Sequence, residues 1–167
     1  MSKSISLCIF LHGTTIMHSS GKNSSREERV SQVVKKDPTI YDYSSYIPIG
    51  NAISKLARWK DQEVRIFYLT FHKNRKDVRK DKSVLRKSGF PKGKIVYRRK
   101  GQEYTNLIER IKPDILVEDD CESIGGEKEM IITHISLNLK KKIKSVVVKE
   151  FEGIDHLPDI IDELTQI

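Results

Sequence analysis

Residue types able to do chemistry gather at four places: Phe10-Leu11-His12-Gly13-Thr14-Thr15, Thr70-Phe71-His72-Lys73, Arg98-Arg99-Lys100 and Glu118-Asp119-Asp120. His12 carries a group that exchanges a proton near neutral pH. As a general acid it would contribute typically about 10²- to 10⁴-fold. It can equally contact a phosphoryl group, ligate a metal, or serve only as a hydrogen-bonding loop residue. Asp119 and Asp120 are adjacent carboxylates, which repel one another unless a cation or a proton relieves them. Metal binding is therefore the reading of that pair, with Glu122 as an assistant and a solvated turn as the plain alternative. His12, His72 and one of the two aspartates would also suffice for a two-histidine, one-carboxylate metal site.

These groups must be positioned by the elements that precede them. Ser4 to Leu11, Glu63 to Thr70, Lys94 to Arg98, Asp114 to Glu118 and Ser145 to Lys149 read as strands. The first and fourth are apolar on both faces, as central parallel strands are. Helices are expected over Ser25 to Lys35, Pro48 to Lys60, Asn74 to Ser88 and Gln102 to Ile111, with less distinct ones over Leu137 to Ile143 and Leu157 to Leu164. Ser25 caps the first of these, with Glu27 and Glu28 in its first turn. Thr39 to Ile49, rich in Tyr and Ser, reads as irregular. Strands alternating with helices predict an α/β fold: a mostly parallel five-stranded sheet, helices on both faces, in a three-layer Rossmann-like arrangement. In such sheets ligands sit beyond the carboxyl ends of the strands, where the strand order reverses.

The chain of 167 residues suits one domain over 1–167, in which 15–60 holds a small cap-like insertion and the helix after it. The apolar run Leu7 to Leu11 is too short to span a membrane, and the polar His12-Gly13-Thr14 breaks any signal-peptide layout. The expectation is a cytoplasmic protein. Cys8, inside an apolar strand, reads as a small buried hydrophobe, and Cys121, behind an acidic pair, as an unactivated thiol. Net charge is +8, unevenly placed: residues 73–100 hold 13 Lys or Arg against two Asp, which leaves the rest of the chain at −3. A segment of that kind suits an anionic partner, whether a phosphorylated metabolite, a nucleotide or nucleic acid.

Taken in order, the four strand ends offer a Gly-Thr loop, a threonine, a basic cluster and paired acids. This layout resembles the haloacid-dehalogenase-like (HAD) phosphohydrolase superfamily over nearly the whole chain, and within it small phosphatases of the 5′-nucleotidase sort. The resemblance implies a phosphoryl-transfer site. Gly13 and Thr14 would lie at the phosphate, Thr70 would bind the transferring phosphoryl group, and Lys100 would neutralise its charge, with Arg98, Arg99 and Lys73 competing for that task. Asp119 and Asp120 would hold Mg²⁺. The family's first motif is Asp, any residue, Asp, Gly, Thr. Laid on Gly13-Thr14, it puts His12 at the general acid/base position and Phe10 at the nucleophile position. No other register repairs this, because the first aspartate of the chain is Asp37.

The expected function is accordingly a divergent HAD-like phosphohydrolase acting on a small phosphorylated substrate without the usual Asp nucleophile. The alternative is a non-catalytic module on the same fold that binds phosphate, a nucleotide or, through residues 73–100, nucleic acid.

Overall fold

The computed structural model describes residues 4–167. Its frame is a five-stranded sheet built from β1 (Ser6–Phe10), β4 (Arg65–Leu69), β5 (Lys94–Val96), β6 (Ile115–Asp119) and β7 (Lys144–Val148). The spatial order is β5-β4-β1-β6-β7, and every pairing is parallel. The central strand pairs Phe10 with Leu69 on one side and Ile9 with Val117 on the other. Leu7, Cys8 and Ile9 are fully buried, as a strand covered on both faces requires.

Alternation along β1 divides the core into two layers. Leu7, Ile9 and Leu11 join Leu56, Trp59, Val84 and Leu164 on one face. Cys8 joins Leu107, Ile108, Ile131 and Ile132 on the other, where Phe10 and Tyr104 pack against them. The fold expected from the sequence is thus the fold found.

The helices follow their sequence signals closely. α1 (Arg26–Val34) starts with a complete capping box: Ser25 accepts from the Glu28 amide, and the Glu28 carboxylate accepts from the Ser25 amide. α3 (Arg75–Ser88) is capped by Asn74 and ends at Gly89 in the left-handed region. α4 (Tyr104–Ile111) starts two residues later than expected, after a Glu103 cap.

Three stretches depart from expectation, each for a physical reason. The region 39–49 is not wholly irregular. β3 (Tyr46–Pro48) pairs antiparallel with β2 (Ile16–His18), and two 3₁₀ turns precede it. Three-residue strands are too short to display a period of two. With Pro48 in a strand, α2 (Ala52–Asp61) begins four residues later than expected. The expected C-terminal helix over Leu157 to Leu164 is only a 3₁₀ turn, Ile161–Thr165. Tertiary ties replace its first part: Lys55 Nζ donates to the Leu157 carbonyl and to Asp159, and Trp59 Nε1 donates to the Pro158 carbonyl at 3.0 Å. Short helices α5 (Ile131–His134) and α6 (Leu137–Lys140) complete the second face. Among the described residues no helix is long and apolar enough to cross a membrane.

Candidate functional site

The chain runs outward from β1 through β4 to β5, then returns to the other side of β1 with β6. The strand order therefore reverses between β1 and β6, where open parallel sheets form their binding crevice. The loop after β1 rises at this point. It folds tightly because the Leu11 carbonyl accepts from the amides of Thr14, Thr15 and Ile16, while the Gly13 amide donates to Ile16. Gly13 sits at φ +84°, a conformation natural to glycine.

The residues on either side of Gly13 serve two different clusters. Thr14 reaches toward β6: its hydroxyl donates to Asp119 Oδ2 at 2.7 Å, and the Cys121 amide donates to Asp119 Oδ1 at 2.9 Å. Glu150, just past β7, joins them. Its amide donates to Asp120 Oδ1 at 3.1 Å, and its own carboxylate accepts from the amide and hydroxyl of Ser123. Asp119, Asp120 and Glu150 offer oxygens that all lie within 4.8 Å of one another. Burial pushes the Asp119 and Glu150 carboxyls up from their ordinary range; hydrogen bonds from Thr14 and Ser123 oppose it, and neighbouring carboxylates add to it. An all-oxygen, carboxylate-only donor set of this kind fits a hard cation such as Mg²⁺.

His12 turns toward β4. Its Nε2 stands 3.1 Å from Asp81 Oδ1, on α3. Asp81 is fully buried, and its second oxygen accepts the Thr70 hydroxyl proton at 2.6 Å. The Thr70 oxygen in turn accepts from the His72 amide at 3.2 Å. His72 places Nε2 3.8 Å from the same Asp81 Oδ1. The two imidazoles stand nearly perpendicular, with centroids 5.0 Å apart, and Phe71, Tyr43 and Tyr46 close around them. His72 Nε2 and His12 Nδ1 are buried with no hydrogen-bond partner among the described residues. Burial, with His12 adding to it and Asp81 opposing it, pushes the His72 imidazole down from its ordinary range.

The residues picked out in the sequence are distributed as follows. His12, Gly13, Thr14, Thr70, Asp119 and Asp120 all lie at the carboxyl end of the sheet. The Thr14 and Thr70 hydroxyls are both donated to carboxylates, so each orients an acid within the protein. Glu118 turns away from its neighbours, because strand alternation points it into the second core layer. There it accepts from the amides of Ile131 and Ile132 at 2.7 and 2.9 Å and caps α5. Burial pushes its carboxyl up to about 7. Glu122 is held by Arg26 at 2.7 Å. Lys100 is exposed in the turn after β5. Of the competing cations, Arg98 is the one drawn to a strand end: its guanidinium lies 3.8 Å over the Tyr104 ring and donates to the Phe71 carbonyl. Phe10 is half-buried, edge-on to the same Tyr104 ring. Burial, reinforced by Asp119 and Glu118, pushes the Cys121 thiol up, so it is unactivated as expected.

Two members of the clusters escaped the sequence. Asp81 lies among cations, but its position three residues after Val78 and three before Val84 marks it as a carboxylate on a packing stripe. Glu150 follows the apolar run Val146–Val148, at a parallel strand's carboxyl end.

No family model matches the chain, and no curated protein does. Among solved structures it is similar to a class C acid phosphatase from Bacillus anthracis with tungstate bound. Identity is 11% and the TM-score 0.58; the match covers 92% of this chain and 70% of that one. At this identity the likeness establishes a shared fold alone, a Rossmann-like α/β architecture. A universal stress protein in complex with cAMP matches at TM-score 0.37 and 10% identity, over 89% of this chain and 98% of that one, a likeness too weak to carry an argument.

Proposed function

We propose that this chain is a divergent HAD-like phosphohydrolase that takes a small phosphorylated compound in the crevice between the β1 loop and the end of β6. The observation that carries this reading is the convergence of Asp119, Asp120 and Glu150 within 4.8 Å, beside Gly13, where the strand order reverses. These three carboxylates would hold Mg²⁺. Bound there, the ion would supply charge neutralisation for a phosphoryl group. The fold is shared with an acid phosphatase solved with tungstate, a tetrahedral oxyanion of phosphate's shape.

The chain's own residues set limits on the chemistry. Phe10 has no atom that can accept a phosphoryl group, so the aspartyl-enzyme route of the HAD superfamily is closed to it. Gly13 lets the loop press against Asp119 and Glu150, and Thr14 fixes the direction of the Asp119 carboxylate. His12, which the motif alignment would put at the family's second aspartate, turns away from this crevice toward Asp81. Arg98 is better placed than Lys100 to face an anion near the end of β4.

Purified protein assayed with p-nitrophenyl phosphate, nucleoside monophosphates and sugar phosphates tests the reading. The expected result is Mg²⁺-dependent phosphate release that Asp119→Asn and Asp120→Asn abolish. No release at high enzyme concentration with any divalent metal would refute the enzyme reading.

A second reading, a binding module on the same fold, is favoured by the exposed cations Arg75, Lys76, Arg79, Lys82, Arg86 and Lys87 along α3. It predicts binding to RNA or DNA that weakens steeply as salt rises. Absence of binding at low salt would remove nucleic acid as the partner.

A further inference from the structure

We infer that His12, His72 and Asp81 form a site for a divalent transition ion of the Zn²⁺ type, separate from the all-carboxylate cluster on the other side of β1. The site stands on its own geometry and does not depend on phosphohydrolase activity.

The distances suit a metal. Bonds of about 2.0–2.2 Å from Zn²⁺ to nitrogen and oxygen put neighbouring ligands of a tetrahedron roughly 3.4 Å apart. Asp81 Oδ1 lies 3.1 Å from His12 Nε2 and 3.8 Å from His72 Nε2, and the three side chains offer one ligand atom each within 4.8 Å of one another. His72 Nε2 is the independent sign of a ligand. It is buried, has no hydrogen-bond partner among the described residues, and belongs to a side chain only 4% exposed. An unpaired polar nitrogen in such a place is costly, and a metal ion would satisfy it.

The surroundings are those of a built metal site. Ligating carboxylates are themselves hydrogen-bonded, which fixes their direction. Thr70 does this here by donating to Asp81 Oδ2 at 2.6 Å, which leaves Oδ1 facing both imidazoles. Phe71 and Tyr43 pack on the histidine rings and form an apolar wall. Two imidazoles and one carboxylate select a borderline ion over Mg²⁺ or Ca²⁺. Three protein ligands leave a fourth position open, the pattern that distinguishes catalytic zinc sites from structural ones.

Co²⁺ and Zn²⁺ titrations of the full chain test the inference. Co²⁺ should give the visible d–d absorption of a tetrahedral complex, and one equivalent of Zn²⁺ should bleach it. His72→Ala should weaken Zn²⁺ binding, read by calorimetry, at least about 100-fold, and Thr70→Val about 10- to 100-fold. Asp119→Asn should leave the Co²⁺ spectrum unchanged, which separates this site from the carboxylate cluster. No Co²⁺ band and no Zn²⁺ binding by the unaltered chain would overturn the proposal, and the test then needs no variant to fold. A band lost in Asp119→Asn but kept in His72→Ala would overturn it as well.

Discussion

Gly13→Ala is the sharpest test of how the β1 loop meets the carboxylate cluster, with Gly89→Ala as its control. Both glycines have φ in the left-handed region, +84° and +83°, so an L side chain costs about 1–2 kcal/mol at either position. Their surroundings differ. A Cβ at Gly89 meets nothing within 4 Å, whereas a Cβ at Gly13 comes within 3.1 Å of Asp119 Oδ2 and 3.2 Å of Glu150 Cγ. Neither neighbour retreats freely. Asp119 is held by the Thr14 hydroxyl and the Cys121 amide, and Glu150 by Ser123. Crowding of this kind adds about 1–3 kcal/mol. Gly13→Ala should therefore be destabilised by about 2–5 kcal/mol and Gly89→Ala by about 1–2 kcal/mol, read as urea midpoints with unchanged slopes. Mg²⁺ affinity should fall in Gly13→Ala and hold in Gly89→Ala. Equal midpoints for the two variants would show that the close approach at Gly13 carries no strain.

Other expectations follow from single contacts. Thr14→Val removes a buried hydroxyl donor to Asp119 and should cost about 1–3 kcal/mol by urea denaturation, with weaker Mg²⁺ binding by calorimetry. Trp59→Ala removes a fully buried indole and its bond to the Pro158 carbonyl; a loss of about 3–5 kcal/mol is expected, and a loss under ~1 kcal/mol would contradict the packing described. Asp159 is held below the ordinary carboxylate range chiefly by Lys55, with Arg58 adding. A lowered folded pKa gives stability that is present above the unfolded pKa and lost as pH falls through the folded one. Asp159→Asn should accordingly lower the thermal midpoint at pH 7, and the gap between the two proteins should close as pH falls below about 4.

Much of the frame was legible in the sequence because parallel strands buried on both faces write continuous apolar runs. Leu7 to Leu11 and Ile115 to Val117 are of this kind, and the two carboxylate- and histidine-bearing clusters lie at their carboxyl ends. The pairing of His12 with His72 was legible too, since both follow neighbouring strands. Their carboxylate was assigned to the wrong element: Asp81, nearly two turns into a lysine- and arginine-rich helix, looked like ordinary charge, although its spacing from Val78 and Val84 sets it on the packing stripe. Glu150 was hidden for a similar reason, because its link to Asp120 spans 30 residues and depends on β7 lying beside β6. Glu118 shows the converse. It adjoins the acidic pair in sequence, but strand alternation sends it to the opposite face, where it caps the start of α5.

The tight loop after β1 has a thermodynamic consequence. His12 and Thr14 grip opposite clusters across the single residue Gly13, and the Phe151 amide clamps the Gly13 carbonyl at 2.7 Å. The two clusters thus share one short anchor. If both clusters hold ions as proposed, any coupling that the loop carries between them is reciprocal. Whatever factor an ion at the histidines would impose on Mg²⁺ binding, Mg²⁺ would impose on that ion.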